Sequence, residues 1–453
     1  MASTDLSRTP ATAGNRKTFT LSTWIKRGEL GNNQDDIFSA GTNYANAVDE
    51  IHFYIGDKIR IYSYDSAYLF EYITTRTFRD TSAWYHIVLA VDTTQATASD
   101  RVKLYVNGDL ITDFDTETDP TQNADCYFWN TTNPHHIGSI LNNSRFLTGS
   151  LAHYHFIDGT AYAASAFGQT DATTGIWKPK TAPSVTYGTN GFFLKFANSG
   201  SMGTDSSGNG NNFTVNGNLT QTVDTPSNVF ATFNSIHKSG TATHDPNFSQ
   251  GNTSVTFDNG DDSTLSTLGV SSGKYYAEFK VTSDSADPTV GVGNESSNLV
   301  TNPGSCNIGS ATGEYGYFSS GNKRINGGSS TAYGDTFTTN DIIGIALDLE
   351  NGAIWFSKNG TWQNSATITE IQNGTTTNAA ATGLSGTFFF GCANSSSGTT
   401  GDAFSVNFGN GYFGTTAVSS AQSPSDGIGI FEYAVPSGYK ALCTKSINAQ
   451  EYS

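Results

Sequence analysis

The chain has 453 residues, enough for two or three domains that each bury a core. Only 14% of residues are charged, and Gly, Ser, Thr and Asn fill the polar positions, a balance that favours short strands and turns over helices. The net charge of -17 argues against sequence-independent nucleic-acid binding, which needs cations to neutralise phosphates, and against docking on an anionic membrane.

The chain opens "MASTDLSRTPATAGNRK", with no apolar stretch behind its basic residues, and no run of about 18 apolar residues follows, so neither a signal peptide nor a membrane span is expected. In "IYSYDSAYLFEY" the tyrosines 62, 64, 68 and 72 stand beside polar loop groups, and Tyr127 and Trp129 flank Cys126. Rings so placed can stack on sugar faces while their neighbours hydrogen-bond hydroxyls; alternating tyrosines can equally pack a core. Tyr64, Tyr68, Tyr127 and Trp129 are the candidate ligand contacts of this half.

"LAVDTTQATASDRVKLYVNG", Leu89 to Gly108, reads as strand, turn and strand closed by an Asn-Gly corner, the dipeptide of two-residue hairpins. His153 and His155 are spaced to share a strand face, and His135 and His136 are neighbours upstream. They could chelate a metal across a trimer axis or simply line a strand edge, and none is assigned as a ligand. "AYAASAFGQT" (Ala161 to Thr170) is the best helix signal, worth one or two turns.

A Gly/Ser/Asn-rich stretch from Asn198 to Asn218, followed by "TVDTPSNVF", places a boundary near Asp224. The expected division is 1-223, 224-435 and a C-terminal tail at 436-453. Beyond the boundary, "GKYYAEFKV" puts Tyr275, Ala277, Phe279 and Val281 on one face and Lys274, Tyr276, Glu278 and Lys280 on the other, as in a strand with one buried side. In "DIIGIALDL" the larger apolar face is Ile343, Ile345, Leu347 and Leu349, with Gly344 and Ala346 opposite. "GIALDLENGAIWFSKNG" is then a three-stranded meander with corners at Asn351-Gly352 and Asn359-Gly360. Tyr333 and Trp362, near turns, complete the candidate contacts. Cys126, Cys306, Cys392 and Cys443 are widely spaced, so free thiols in a protein made in a reducing cytoplasm are expected.

These patterns describe an all-β chain of two tandem β-sandwiches. The second half resembles a SPRY domain: "GKYYAEFKV", "TVGVGN" (Thr289 to Asn294), "GEYGYFSSGNKRINGG" (Gly313 to Gly328), the meander and "FSVNFGN" (Phe404 to Asn410) fall in that family's order, with Tyr276 where tryptophan is common. The first half resembles a laminin G-like, concanavalin A-type lectin module, through "KTFTLSTWIKRG", "IFSAG", "WYHIVLAVDTT", "RVKLYVNGDLI", "HIGS" and "LTGSLAHYHFIDGTAY". Both resemblances imply two-sheet jelly rolls. Lectin modules of this type often begin with a strand and a "DSSGNGN"-like turn. Here "GFFLKF" (Gly191 to Phe196) and "DSSGNGNNF" (Asp205 to Phe213) come last, so a circular permutation closed by residues 191-215 is expected. The tandem is also similar to structural proteins of tailed phages of marine bacteria, in which starts like "SRTPATAGNRKTFT" and junctions like "NGFFLKFANSGS" recur.

Glycosidases resembling this fold carry Glu-x-Asp-x-Glu along one strand. Only Asp348 and Glu350 approximate that pattern, with Ala346 at the first position, and satisfying backbone amides beside Asn351-Gly352 is the competing role. No phosphate-cradling Gly-Lys-Ser/Thr loop occurs; no catalytic residue is assigned and no enzyme is expected. Lectin sandwiches often hold calcium, and Asp35, Asp36, Asp113, Asp115, Asp119 and Asp125 offer oxygen ligands, although dispersed loop aspartates mostly meet water; no cofactor is assigned. The resemblances imply a virion adhesin, as tail fibre, spike or head fibre, that binds a host-surface glycan or protein, contacts other virion proteins and assembles as a homotrimer. The alternative is a capsid decoration or tail-assembly protein without host contact; a polysaccharide depolymerase comes last.

Overall fold

In three neighbouring strands, alternate residues point one way: Ile51 and Phe53, Ile59 and Ile61, Phe70 and Tyr72 all enter a single core. Phe19, Leu21, Ile87, Leu89 and Leu104 meet them from a second layer. The computed structural model describes residues 4-31, 34-142, 144-237, 246-258, 260-285, 287-297, 307-396 and 401-451. It divides the chain into two units, Met1–Gln221 and Thr222–Ser453.

The first unit is a β-sandwich. Its eight-stranded antiparallel sheet runs in the order Phe114–Thr118, Tyr68–Thr74, Lys58–Asp65, Ala47–Tyr54, Asp35–Asn43, His135–Ile137, Asp5–Arg8 and Thr214–Asn216. The facing six-stranded sheet runs Phe192–Leu194, Gly149–Asp158, Thr18–Arg27, Trp84–Asp92, Val102–Val106 and Asp109–Leu110. Segment 191-216 therefore adds an edge strand to each layer: Phe192–Leu194 pairs with the Gly149–Asp158 strand, and Thr214–Asn216 with Asp5–Arg8. Asp205 holds the intervening turn by accepting the amides of Phe193, Ser207 and Asn211. The chain then covers the outer face of the six-stranded sheet with its own residues, as Ala164, Phe167, Tyr162, Trp177 and Tyr187 pack over Val88 and Ile157. The helix signal at 161-170 yields a single 3-10 turn, Ala164–Ala166, within that cover.

The second unit is also a sandwich, of a nine-stranded and a six-stranded sheet. Asn359 and Gly360 adopt φ of 49° and 80°, the two left-handed residues of a tight hairpin corner. Gly344 is required by space, because a Cβ there would lie 2.4 Å from Ser357 Oγ and 2.6 Å from Tyr276 Oη. Tyr275, Ala277, Phe279 and Val281 enter the core as expected.

The opposite face of the same strand departs from the expectation of an exposed side: Tyr276 and Glu278 are buried. The cause is the C-terminal segment. The segment 436-453 is expected as a tail, but its described part, 436-451, is packed against the sandwich: Lys440–Ala441 pairs in parallel with the Lys274–Ser283 strand, and the Thr444–Glu451 helix follows. Phe431, Tyr439, Ala441 and Cys443 close over Tyr276, Ala346 and Trp355. A short helix, Ile368–Gln372, is started by a reciprocal pair in which Thr367 and Glu370 cap each other. Cys126, Cys392 and Cys443 are buried free thiols, while Cys306 lies outside the described residues. Among the described residues no helix is long and apolar enough to cross a membrane.

Glu278 is the buried acid of this second layer. It accepts the amides of Glu432 and Tyr433 at 2.8 and 2.9 Å and the Asn407 amide at 3.2 Å. Burial nevertheless pushes its carboxyl from the usual 4.5 up to about 7. A raised carboxyl keeps its proton in the folded state where the unfolded chain has lost it, so its contribution is complete below the unfolded value and lost as pH rises through the folded one. The second unit is therefore expected to lose urea resistance between pH of about 5 and about 8, with Glu278→Gln flattening that slope. Identical slopes for the two proteins would exclude Glu278 as the titrating group.

Candidate binding site

Since one face of the eight-stranded sheet is core, register puts the intervening residues on the other. Val48, Tyr64 and Tyr68 form one cross-strand row, Glu50, Tyr62 and Glu71 a second, and His52, Arg60 and Ile73 a third. A register shift between Ser63 and Tyr64, next to a tight turn in which Ser66 has φ 60°, brings Tyr64 opposite Tyr68. Their ring centroids are 4.6 Å apart and the planes tilt by 50°, while the Tyr68 ring stands edge-on to Tyr62 at 5.9 Å.

Arg60 organises the patch. Its guanidinium lies 5.1, 4.6 and 5.7 Å from the ring centres of Tyr54, Tyr62 and Tyr68. Nε donates to Glu71 Oε1 at 2.8 Å, Nη2 donates to the same oxygen, and Nη2 also donates to the Tyr68 hydroxyl at 2.6 Å. Tyr68 remains 45% exposed, and Tyr54, Tyr64, Arg60 and Glu71 are half-buried. The result is a rigid, partly open aromatic surface with a carboxylate and phenols at its rim, able to take an apolar ring face and adjacent hydroxyls.

Beside it the sheet face carries a closed polar cluster. Arg145 Nη1 donates to both oxygens of Glu50, at 2.7 and 2.9 Å, and the Tyr62 hydroxyl also donates to Glu50. Asp36 and His52 are buried against the same group. Burial, then the neighbouring Glu50 charge, push Asp36 well above the carboxylate range. Burial opposes ionisation of Glu50, but the neighbouring His52, Asp36 and Arg145 hold its pKa below the ordinary range. Two carboxyls hydrogen-bonded to each other leave no room for the sugar that a glycosidase pair must flank at about 5 Å or more.

The sequence candidates separate sharply. Tyr64 and Tyr68 meet in the patch. Trp129 is corrected: it is 1% exposed, packed edge-on to Phe19 at 5.7 Å and stacked on Phe38 at 6.4 Å, so it is core. Its removal would cost about 3 to 5 kcal/mol and would report on folding. Tyr127 is half-buried against the same core. Tyr333 is likewise corrected: at 7% exposure its hydroxyl accepts the Phe356 amide at 3.3 Å, and its ring packs on Tyr317 and Phe356. Trp362, half-buried, leans edge-on against Tyr276 at 6.3 Å. Tyr54, Arg60 and Glu71 were missed, although Arg60, Tyr62 and Tyr64 stand two apart in one strand, the spacing of a shared face.

The remaining candidates perform structural tasks. Asp348 accepts the amides of Glu350 and Asn351 at 3.0 and 2.9 Å and pairs with Lys274 at 3.2 Å, a turn role. His135 accepts the Asn130 amide at 3.0 Å, and His136 pairs with Asp5 at 2.7 Å. His153 sits at a bulge with φ 48°, and both His153 and His155 stack on Phe193. Among the described residues no group of three or more His, Cys, Asp or Glu is placed to hold a metal ion. Of the proposed calcium ligands, Asp35 and Asp36 are buried in a strand, Asp115 pairs with Lys58 and Asp119 with Tyr72, while Asp113 and Asp125 are exposed. A buried serine-histidine contact, Ser22 Oγ to His86 Nε2 at 2.9 Å, has the wrong tautomer for a nucleophile. The Trp177 indole, a donor only, gives its N–H to His86 Nδ1 at 3.0 Å, leaving Nε2 protonated.

Comparison with known proteins agrees with this architecture. Residues 2-166 match the concanavalin A-like lectin/glucanases superfamily and residues 274-410 match the SPRY domain. Similar solved structures include the SPRY domain of human HERC1, at 20% identity over 38% of this chain and 96% of that one, with a TM-score of 0.30. A human SPRY domain has 14% identity over 34% and 90% of the two chains (TM-score 0.23), and the TRIM65 PSpry domain 13% over 39% and 91% (TM-score 0.28).

Removing the cation above Glu50 would strand a buried charge. Arg145→Met is expected to lower the stability of the first unit by about 3 to 5 kcal/mol in urea unfolding, and adding Glu50→Gln to recover most of that loss. Equal stability of Arg145→Met and the parent would show that the pair carries no such load.

Proposed function

We propose that this chain, in which a concanavalin A-like domain is followed by a SPRY domain, is a non-enzymatic adhesin of a tailed-phage virion, and that the Tyr64–Tyr68–Arg60 face binds a host-surface glycan. Domains of both kinds are typically binding or interaction domains. One observation carries the reading. The outer face of the six-stranded sheet is covered by the chain's own residues, whereas this patch of the eight-stranded sheet keeps aromatic rings open to solvent. The open rings are braced by Arg60 and Glu71, so a ligand meets a surface whose rotamers are already fixed.

The virion assignment rests on the resemblance of Ser7 to Thr20 and of Asn190 to Ser201 to phage structural proteins. In that setting the protein is made in the host cytoplasm, joins other virion proteins, and is displayed in many copies as a homotrimer. Weak single-site affinity is then raised by multivalency.

Two measurements test this. Gold-labelled antibody against the chain is expected to mark fibres or spikes on intact particles. Tyr68→Ala and Tyr64→Ala are each expected to weaken binding of the purified protein to host cells by about tenfold or more, with no change in melting temperature. Labelling spread over the capsid, together with no cell binding, would favour a decoration protein. Undiminished binding by both variants would remove the face from the account.

A further inference from the structure

We infer that the ligand of the tyrosine face is an uncharged polysaccharide segment, a deepening that rests on the glycan-binding reading above. The argument is one of charge. Three cations stand on this sheet face: Lys58 in the row with Tyr54, Arg60 among the rings, and Arg145 above Glu50. Each is already neutralised within the chain. Lys58 pairs with Asp115, which is held in turn by the Thr75 hydroxyl at 3.1 Å. Arg60 spends Nε and Nη2 on Glu71, and Arg145 spends Nη1 on both oxygens of Glu50.

A uronate, sulfate or phosphate on a glycan would have to displace one of these built-in carboxylates. It would exchange one ion pair for another and leave the displaced carboxylate as a like charge beside it. The chain's overall charge of -17 adds repulsion at long range.

A neutral pyranose meets no such conflict. Its C–H face can lie on the Tyr64 and Tyr68 rings. Its hydroxyls find both donor and acceptor at the rim. Tyr68 accepts from Arg60 and so keeps its own proton to donate, and both Arg60 bonds fall on Oε1 of Glu71, which leaves Oε2 to accept.

The test is a glycan array carrying neutral, uronate-bearing, sialylated and sulfated glycans, probed with the full chain. The bound glycans are expected to be uncharged, and to be lost by about tenfold or more in Tyr68→Ala. Their affinity is expected to change by less than about twofold as NaCl is raised from about 50 to about 500 mM. Glu71→Gln, which frees Arg60, is expected to add uronate-bearing glycans to the bound set. Anionic glycans binding best to the parent, with a steep salt dependence and loss in Tyr68→Ala, would overturn the inference while leaving the face as the site. Neutral glycans held equally by Tyr68→Ala and Tyr64→Ala, or no glycan held at all, would overturn both.

Discussion

A β-strand has two faces, and register decides which residues occupy each. That constraint governs every layer of this chain. Once Ile51, Ile61 and Tyr72 are committed to the core, Glu50, Tyr62 and Glu71 have no choice but the other side. A sheet whose outer face also carries apolar or aromatic residues must cover them, pair their polar atoms, or leave them for a partner.

The chain covers some of these residues, pairs others and leaves a few open. Over Val88 and Ile157 it lays its own segment; over Tyr276 and Trp355 it lays its C-terminus. Around Glu50 it builds a paired polar cluster with Asp36, His52 and Arg145. Beside that cluster rings are left open, and there Arg60 and Glu71 hold them in place. The rigidity of the patch and its accessibility thus have one origin, the three paired strands beneath it.

Much of this was legible in residue order. Alternation identified the core face of "GKYYAEFKV", and Asn359-Gly360 marked a hairpin corner of the meander. Alternation reports the phase of a strand but says nothing about what lies on top of it. Tyr276 and Glu278 look like a solvent face until residues more than 150 positions away arrive over them, as the Glu432 amide does on Glu278. The same blindness placed Trp129 and Tyr333 at a surface, since a ring near a turn can point either way. His153 escaped because a bulge breaks the period that would have paired it with His155. Arg60 was within reach, but a charged residue between aromatics draws notice only when the neighbouring strand supplies its counter-ion.

The closing segment of the first sandwich bears on biogenesis. Strand Asp5–Arg8 lies between His135–Ile137 and Thr214–Asn216, so it leaves the ribosome well before either of its flanking partners. The second sandwich repeats the arrangement, with Phe230 bridged to Cys443. Neither half can lock shut until its last stretch emerges, which sets the order of maturation on the nascent chain: one finished module first, then the other.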